Sequence, residues 1–172
     1  MNIEKKSIPA NEDEIVLYTY LGEALWKIQM VEQALSCLIT LKLNPDANME
    51  EADAFLNKLQ SYTLGKAITE SKDKKLFEDS FQEELFCFLD KRNWLVHKSL
   101  AEVQHEIDYF NKRKGIIKTL CNRIKDITDN AENIKRKIEY EMIEFCESQN
   151  RDMSRMREIL KLQESGMRIY KV

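Results

Sequence analysis

The sequence predicts an all-α protein, an up-and-down helical bundle with a long fourth helix. Three observations carry that expectation. Gly occurs four times and Pro twice in 172 residues, at Pro9 and Pro45, too few for the many turns of a sheet protein. Leu17, Leu21, Ala24, Ile28, Val31, Leu35 and Leu38 recur at intervals of four and three, the spacing that lines one helix face. Val103, Phe110, Ile117, Ile124, Ala131, Ile138 and Phe145 fall at seven-residue steps, the repeat of a helix packed along its length.

In chain order, residues 1–12 read as a loose leader. The first helix is expected from Asp13 to Leu43. Asn44-Pro45-Asp46 stops it, because the residue before proline is pushed out of helical geometry. A weaker second helix is expected over Met49–Glu70, with Ala52, Phe55, Leu56 and Leu59 as its inner face and room for a bend within Thr63-Leu64-Gly65-Lys66-Ala67-Ile68. Ser71-Lys72-Asp73 reads as a short connection. The third helix, Lys74–Val96, is expected to bury Phe77, Phe81, Leu85, Phe88 and Leu89. In the fourth, Leu120, Ile127 and Ile134 take the paired heptad positions. As one helix it would reach roughly 65–70 Å at 1.5 Å per residue, so part of it should rest on a partner chain or on the tail. Asp129-Asn130-Ala131-Glu132 has capping-box character and leaves open a break there, although one continuous helix is the preferred reading. Residues 13–147 then form the helical domain, and 148–172 form a tail with room for a short helix.

Composition narrows the class. Hydrophobic residues make up 43% and charged residues 33% of the chain, a globular balance with a heavily charged helical surface. No apolar run approaches the ~18 residues that cross a bilayer, and no hydrophobic stretch follows Met1-Asn2-Ile3-Glu4, so neither membrane span nor signal peptide is read. The chain is expected to be cytoplasmic. Cys37, Cys87, Cys121 and Cys146 are scattered among apolar neighbours without a Cys-x-x-Cys pair, which favours buried thiols in a reducing compartment over disulfides or zinc. The net charge of −3 is unevenly spread: residues 1–97 hold 11 Lys/Arg against 17 Asp/Glu, and residues 98–172 hold 16 against 13. The basic excess gathers at Lys112-Arg113-Lys114, Lys118, Arg123, Lys125 and Lys135-Arg136-Lys137. Such a face attracts phosphates weakly and by itself reads as solvated helix surface.

One segment suggests chemistry: Arg92-Asn93-Trp94-Leu95-Val96-His97. Asn93 and His97 share a helix face, being four residues apart. Arg92 and His97 are five apart, about 140° around an ideal helix, so they do not meet on one straight helix. A two-fold pairing of chains would solve that geometry by gathering two Arg and two His around one cleft. The plain alternative is that Arg and His complement the carbonyl end of a helix. Of the remaining candidates, His105, flanked by Glu102 and Glu106, reads as surface, and Trp26 and Trp94 read as core rather than base-stacking platforms.

Arg92 and His97 fit the R-x4-6-H signature of HEPN domains, with the usual polar residue after the Arg present as Asn93. The order of a long first helix, a weaker second, a motif-bearing third and a long return helix is also similar. The resemblance spans roughly residues 13 to 147, and its specific part is the six motif positions. It implies a HEPN-like helical bundle, usually dimeric, and a metal-independent endoribonuclease of toxin, phage-defence or RNA-processing systems. RNA, a second copy of the chain and an antitoxin or regulatory protein are the implied partners, with no cofactor. In this chemistry a ribose 2′-hydroxyl attacks the adjacent phosphorus. His97 would move a proton near neutrality, and Arg92 would hold the phosphoryl oxygens as charge builds. Asn93 would orient the phosphate or the His ring, and Lys91 and Lys98, which bracket the motif, would bind RNA. Some relatives in this family carry a Tyr two positions after the His as an AMP acceptor; here that position is Ser99. Two rival readings stand beside the nuclease: a catalytically silent HEPN-like interaction or regulatory module, and an unrelated coiled-coil scaffold.

Overall fold

The computed structural model describes residues 12–99, 101 and 113–165. The leader before Glu12, the heptad positions Val103 and Phe110, His105 with Glu102 and Glu106, and Lys112 lie outside these residues. The described residues form six α-helices and no strand: α1 Glu12–Leu43, α2 Met49–Gln60, α3 Leu64–Asp73, α4 Asp79–His97, α5 Arg113–Ser148 and α6 Ser154–Glu164. The all-α expectation holds. Among the described residues, no helix is long and apolar enough to cross a membrane.

Several boundaries differ from the sequence reading, each for a local reason. The expected single helix Met49–Glu70 is two helices. Asn48 and Glu51 close a reciprocal capping box at the start of α2, and the Thr63 side chain caps α3 by accepting the Lys66 N–H at 3.3 Å. The expected connection Ser71-Lys72-Asp73 is instead the last turn of α3. Ser71 is fully buried, donating to the Ile68 carbonyl at 2.8 Å and lying 3.1 Å from Gln82 Oε1, while Gln82 Nε2 donates to the same carbonyl at 3.0 Å. A residue type common in turns here satisfies buried polar groups.

The true connection follows Asp73. Leu76 N–H reaches Ser71 O at 3.0 Å and Lys75 N–H reaches Lys72 O at 3.0 Å, with Lys75 at φ 51°. This pair of bonds is the Schellman closure, and its left-handed residue is usually Gly. Because a side chain there meets the following carbonyl, Lys75→Gly is expected to raise the unfolding free energy by about 0.5–1 kcal/mol, measured by urea denaturation. The closure also moves the start of α4 from the expected Lys74 to Asp79. Phe77, ahead of the helix, is still buried and packs edge-to-face on Phe81 at 5.3 Å.

The preferred single long helix is found from Arg113 onward: α5 passes through Asp129-Asn130 without a break. Ala131 there is fully buried, so the seam continues where a cap would have interrupted it. The strict heptad drifts, however, because 3.6 residues per turn do not match 3.5. By the end of α5, Ile143 and Cys146 are buried and the expected Phe145 is only half-buried.

The described residues pack as two compact units, one drawn from residues 1–29 and 87–132 and the other from residues 30–86 and 133–172. In the first, α1 and α4 pack on α5, and Ala24, Ile28, Phe88, Leu95, Ile117, Ile124 and Ile127 form the core. Lys91 on α4 bonds Asn130, and Arg123 lies over Trp94, so α4 and α5 run antiparallel there. Lys27 pairs with Glu132.

In the second unit, Leu35, Leu38, Ile39, Leu59, Ile68, Leu85, Ile134 and Ile138 are buried. Lys42 is a tie point: its ammonium donates to Leu76 O at 2.9 Å and Glu141 at 2.8 Å, and lies 4.9 Å from the Phe77 ring centre. The tail does supply a short helix, α6. It seats Leu160, and Arg157 grips Glu147 with two bonds of 2.7 and 2.6 Å. Those bonds hold the Glu147 carboxyl below its ordinary value.

Two expectations about side chains fail. Trp26 is 65% exposed rather than core, because it lies off the α1 seam that Ala24 and Ile28 define. Only Cys146 is buried; Cys37 and Cys121 are partly exposed, Cys87 is exposed, and all four are free thiols. Apolar neighbours in sequence mark a helix but not which of its faces turns inward.

Candidate active site

The motif occupies the last turns of α4, inside the first unit. The turns leading to it are rigid for an identifiable reason. Phe88 is fully buried, and Trp94 and Leu95 are 7% and 3% exposed, so the apolar half of this stretch is locked into the core. The polar half is thereby set on the remaining face. Arg123 of α5 covers Trp94, its guanidinium carbon 3.4 Å from the ring centre. Arginine stacked on an indole is an energetically useful cation–π contact.

His97 is the last residue of α4 and is exposed. Arg92 and Asn93 are half-buried, and Arg92 Nη1 makes a long 3.4 Å contact with Asn93 Oδ1. Asn93 therefore has a carbonyl oxygen turned toward the guanidinium of its neighbour. Lys91 is exposed and donates to Asn130 Oδ1 at 3.2 Å. Lys98 is exposed just past the helix, with its backbone N–H bonded to Trp94 O at 2.9 Å. Ser99 donates its hydroxyl to Leu95 O at 2.6 Å.

Helical geometry runs unbroken from Arg92 to His97. The two residues are therefore separated by about 140° around the axis and about 7.5 Å along it. Within one copy, Arg92 shares its immediate surroundings with Asn93, while His97 stands at the helix end, on the Asn93 face. The sequence reading grouped Arg123 with a diffuse basic surface and Asn130 with a possible helix cap. In the structure, Arg123 stacks on the tryptophan of the motif and Asn130 holds its lysine. The signal available in sequence was heptad spacing: residues 123 and 130 are one heptad apart and so lie on one flank of α5.

Among the described residues, no group of three or more His, Cys, Asp or Glu side chains is placed to hold a metal ion. The second unit has a groove of about 270 Å³ lined by Met30, Cys37, Met142, Met153, Met156 and Leu160 among others. Burial raises the Cys37 thiol above its ordinary value, which makes it a poor nucleophile. Comparison with family models, with curated proteins and with solved structures gave no match.

Proposed function

We propose that this chain is an endoribonuclease of the HEPN type that acts as a pair of copies and needs no metal for its chemistry. The observation that carries the reading is the end of α4: an exposed imidazole at His97, a half-buried guanidinium at Arg92, and exposed ammonium groups at Lys91 and Lys98 on the same few turns. In the proposed reaction a ribose 2′-oxygen attacks the adjacent phosphorus. Its proton passes to an imidazole, the bond to the 5′-oxygen breaks, and that oxygen takes a proton from an imidazolium. The products carry a 2′,3′-cyclic phosphate and a 5′-hydroxyl. Arg92 offers paired N–H donors to the phosphoryl oxygens, where charge builds in the transition state. Lys91 and Lys98 attract the backbone on either side. The angle between Arg92 and His97 motivates the second copy, which brings another Arg and another His to the cleft. One His97 then serves as base and its twin as acid.

The test is direct. Purified protein in excess EDTA should cut RNA, leave DNA of matching sequence intact, and produce the cyclic-phosphate end; His97→Ala and Arg92→Ala should both cut RNA far more slowly. Intact RNA beside a stable dimer would sink the enzyme reading and favour a silent interaction module.

A further inference from the structure

The first half of α1 carries two apolar faces. One is the buried seam through Ala24 and Ile28. The other is open: Ile15 is 55%, Tyr18 61%, Leu25 43% and Trp26 65% exposed. At 100° per residue these four, with Thr19, Gly22 and Gln29, fall within an arc of about 120°. The charged residues of the segment, Glu12, Asp13, Glu14, Glu23 and Lys27, all fall outside it. A Cβ built at Gly22, in the middle of the arc, would meet nothing within 4 Å, so the backbone there is open to close approach. The Thr19 hydroxyl already donates to Ile15 O at 2.9 Å and needs no water when covered.

We infer that this face of α1 is where two copies of the chain pair. The inference rests on the proposed two-copy active site and names the surface that assembles it; α1 residues 12–29 and the α4 motif belong to the same compact unit. Three features select a second copy as the occupant. An uncharged patch is self-complementary under a two-fold, since no like charges are brought together. Tyr and Trp anchors with charge depleted between them are the composition of an interface core. And α1 opens on Glu12, Asp13 and Glu14, a cluster that opposes RNA and anionic lipid alike. Size is consistent with a core and not a whole interface. The two aromatic rings alone leave on the order of 250 Å² in solvent, against roughly 800 Å² per partner in a stable pair. Other exposed surface of the same unit, which includes Val16 at 47% and Val96 at 44%, supplies the remainder.

Sedimentation equilibrium across a concentration series tests the pairing, using wild type, Tyr18→Glu, Trp26→Glu and the milder Trp26→Ser. The expected result is a wild-type dimer whose dissociation constant rises about thirtyfold or more in each Glu variant and less in Trp26→Ser, with helix content by circular dichroism unchanged. Wild type sedimenting as one chain throughout, or a dimer indifferent to all three substitutions, overturns the inference. Cleavage of RNA is measured on the same samples. If the face governs pairing but wild type leaves RNA intact, the interface stands and the nuclease reading falls. If cleavage falls in step with the monomer fraction and returns at high concentration, both stand.

Discussion

Replacing His97 with alanine removes both the base and the acid of the paired site and is expected to slow RNA cleavage by about 10⁴-fold or more, since each general acid–base group contributes about 10²–10⁴-fold. Helix content and melting temperature should hardly change. The side chain is exposed and ends α4, so its loss leaves no cavity and strands no buried partner. That separation of activity from stability is the informative part. Arg92→Ala should cost about 10²–10³-fold, as loss of a donor to a charged transition state does. Because Arg92 is half-buried, it should also lower stability slightly. Arg92→Lys keeps the charge but not the planar fork, and should recover only part of the rate. Single-turnover cleavage with excess protein, read beside thermal melts, distinguishes these outcomes. An exposed His97 variant with wild-type cleavage rates would remove the imidazole from the mechanism.

Phe88→Ala is the second large effect, and it acts on the fold. Phe88 is fully buried, nine residues before His97 on α4. Its truncation removes an aromatic side chain from the core and leaves a void that the helices refill only partly, at a cost of about 3–5 kcal/mol. For a chain of this size that corresponds to a fall of roughly 10 °C in melting temperature, measured by differential scanning calorimetry. Phe88→Leu, which fills more of the space, should lose clearly less. The Ala variant should also cleave RNA more slowly at temperatures well below its melting point, because Phe88 anchors the helix that carries the motif.

Two helix ends on continuous apolar seams were legible from sequence to within a residue, while the start of α4, expected at Lys74, lies at Asp79. α1 was expected from Asp13 and begins at Glu12; the last helical residue of α4 was expected at Val96 and is His97. Such seams are long-range averages over many residues, and one misread position does not disturb them. The connections were not legible, because each is decided by a few local bonds. Nothing in the composition of Ser71-Lys72-Asp73 says that Ser71 will be buried against Gln82, or that Lys75 will take the left-handed position Gly usually occupies. Trp26 misled for a different reason. Its residue type signals burial, yet its angle on α1 places it 160° from Ala24 by the helical period. At the candidate site, the sequence identified the α4 residues but not Arg123 and Asn130. Those two meet the motif only through the packing of α5 on α4, about thirty to forty positions further along the chain.

The ties that close each unit also set the pace at which the protein can form. Lys27 meets Glu132, Lys42 meets Glu141 and Arg151 donates to the Pro45 carbonyl, spans of 99 to 106 residues. Helical proteins usually fold fast because their contacts are local; here α1 cannot complete its packing until α5 has been synthesised. A growing chain on the ribosome therefore carries the seam of α1 uncovered through most of translation, and its acquisition of structure is a late, cooperative event rather than a stepwise one.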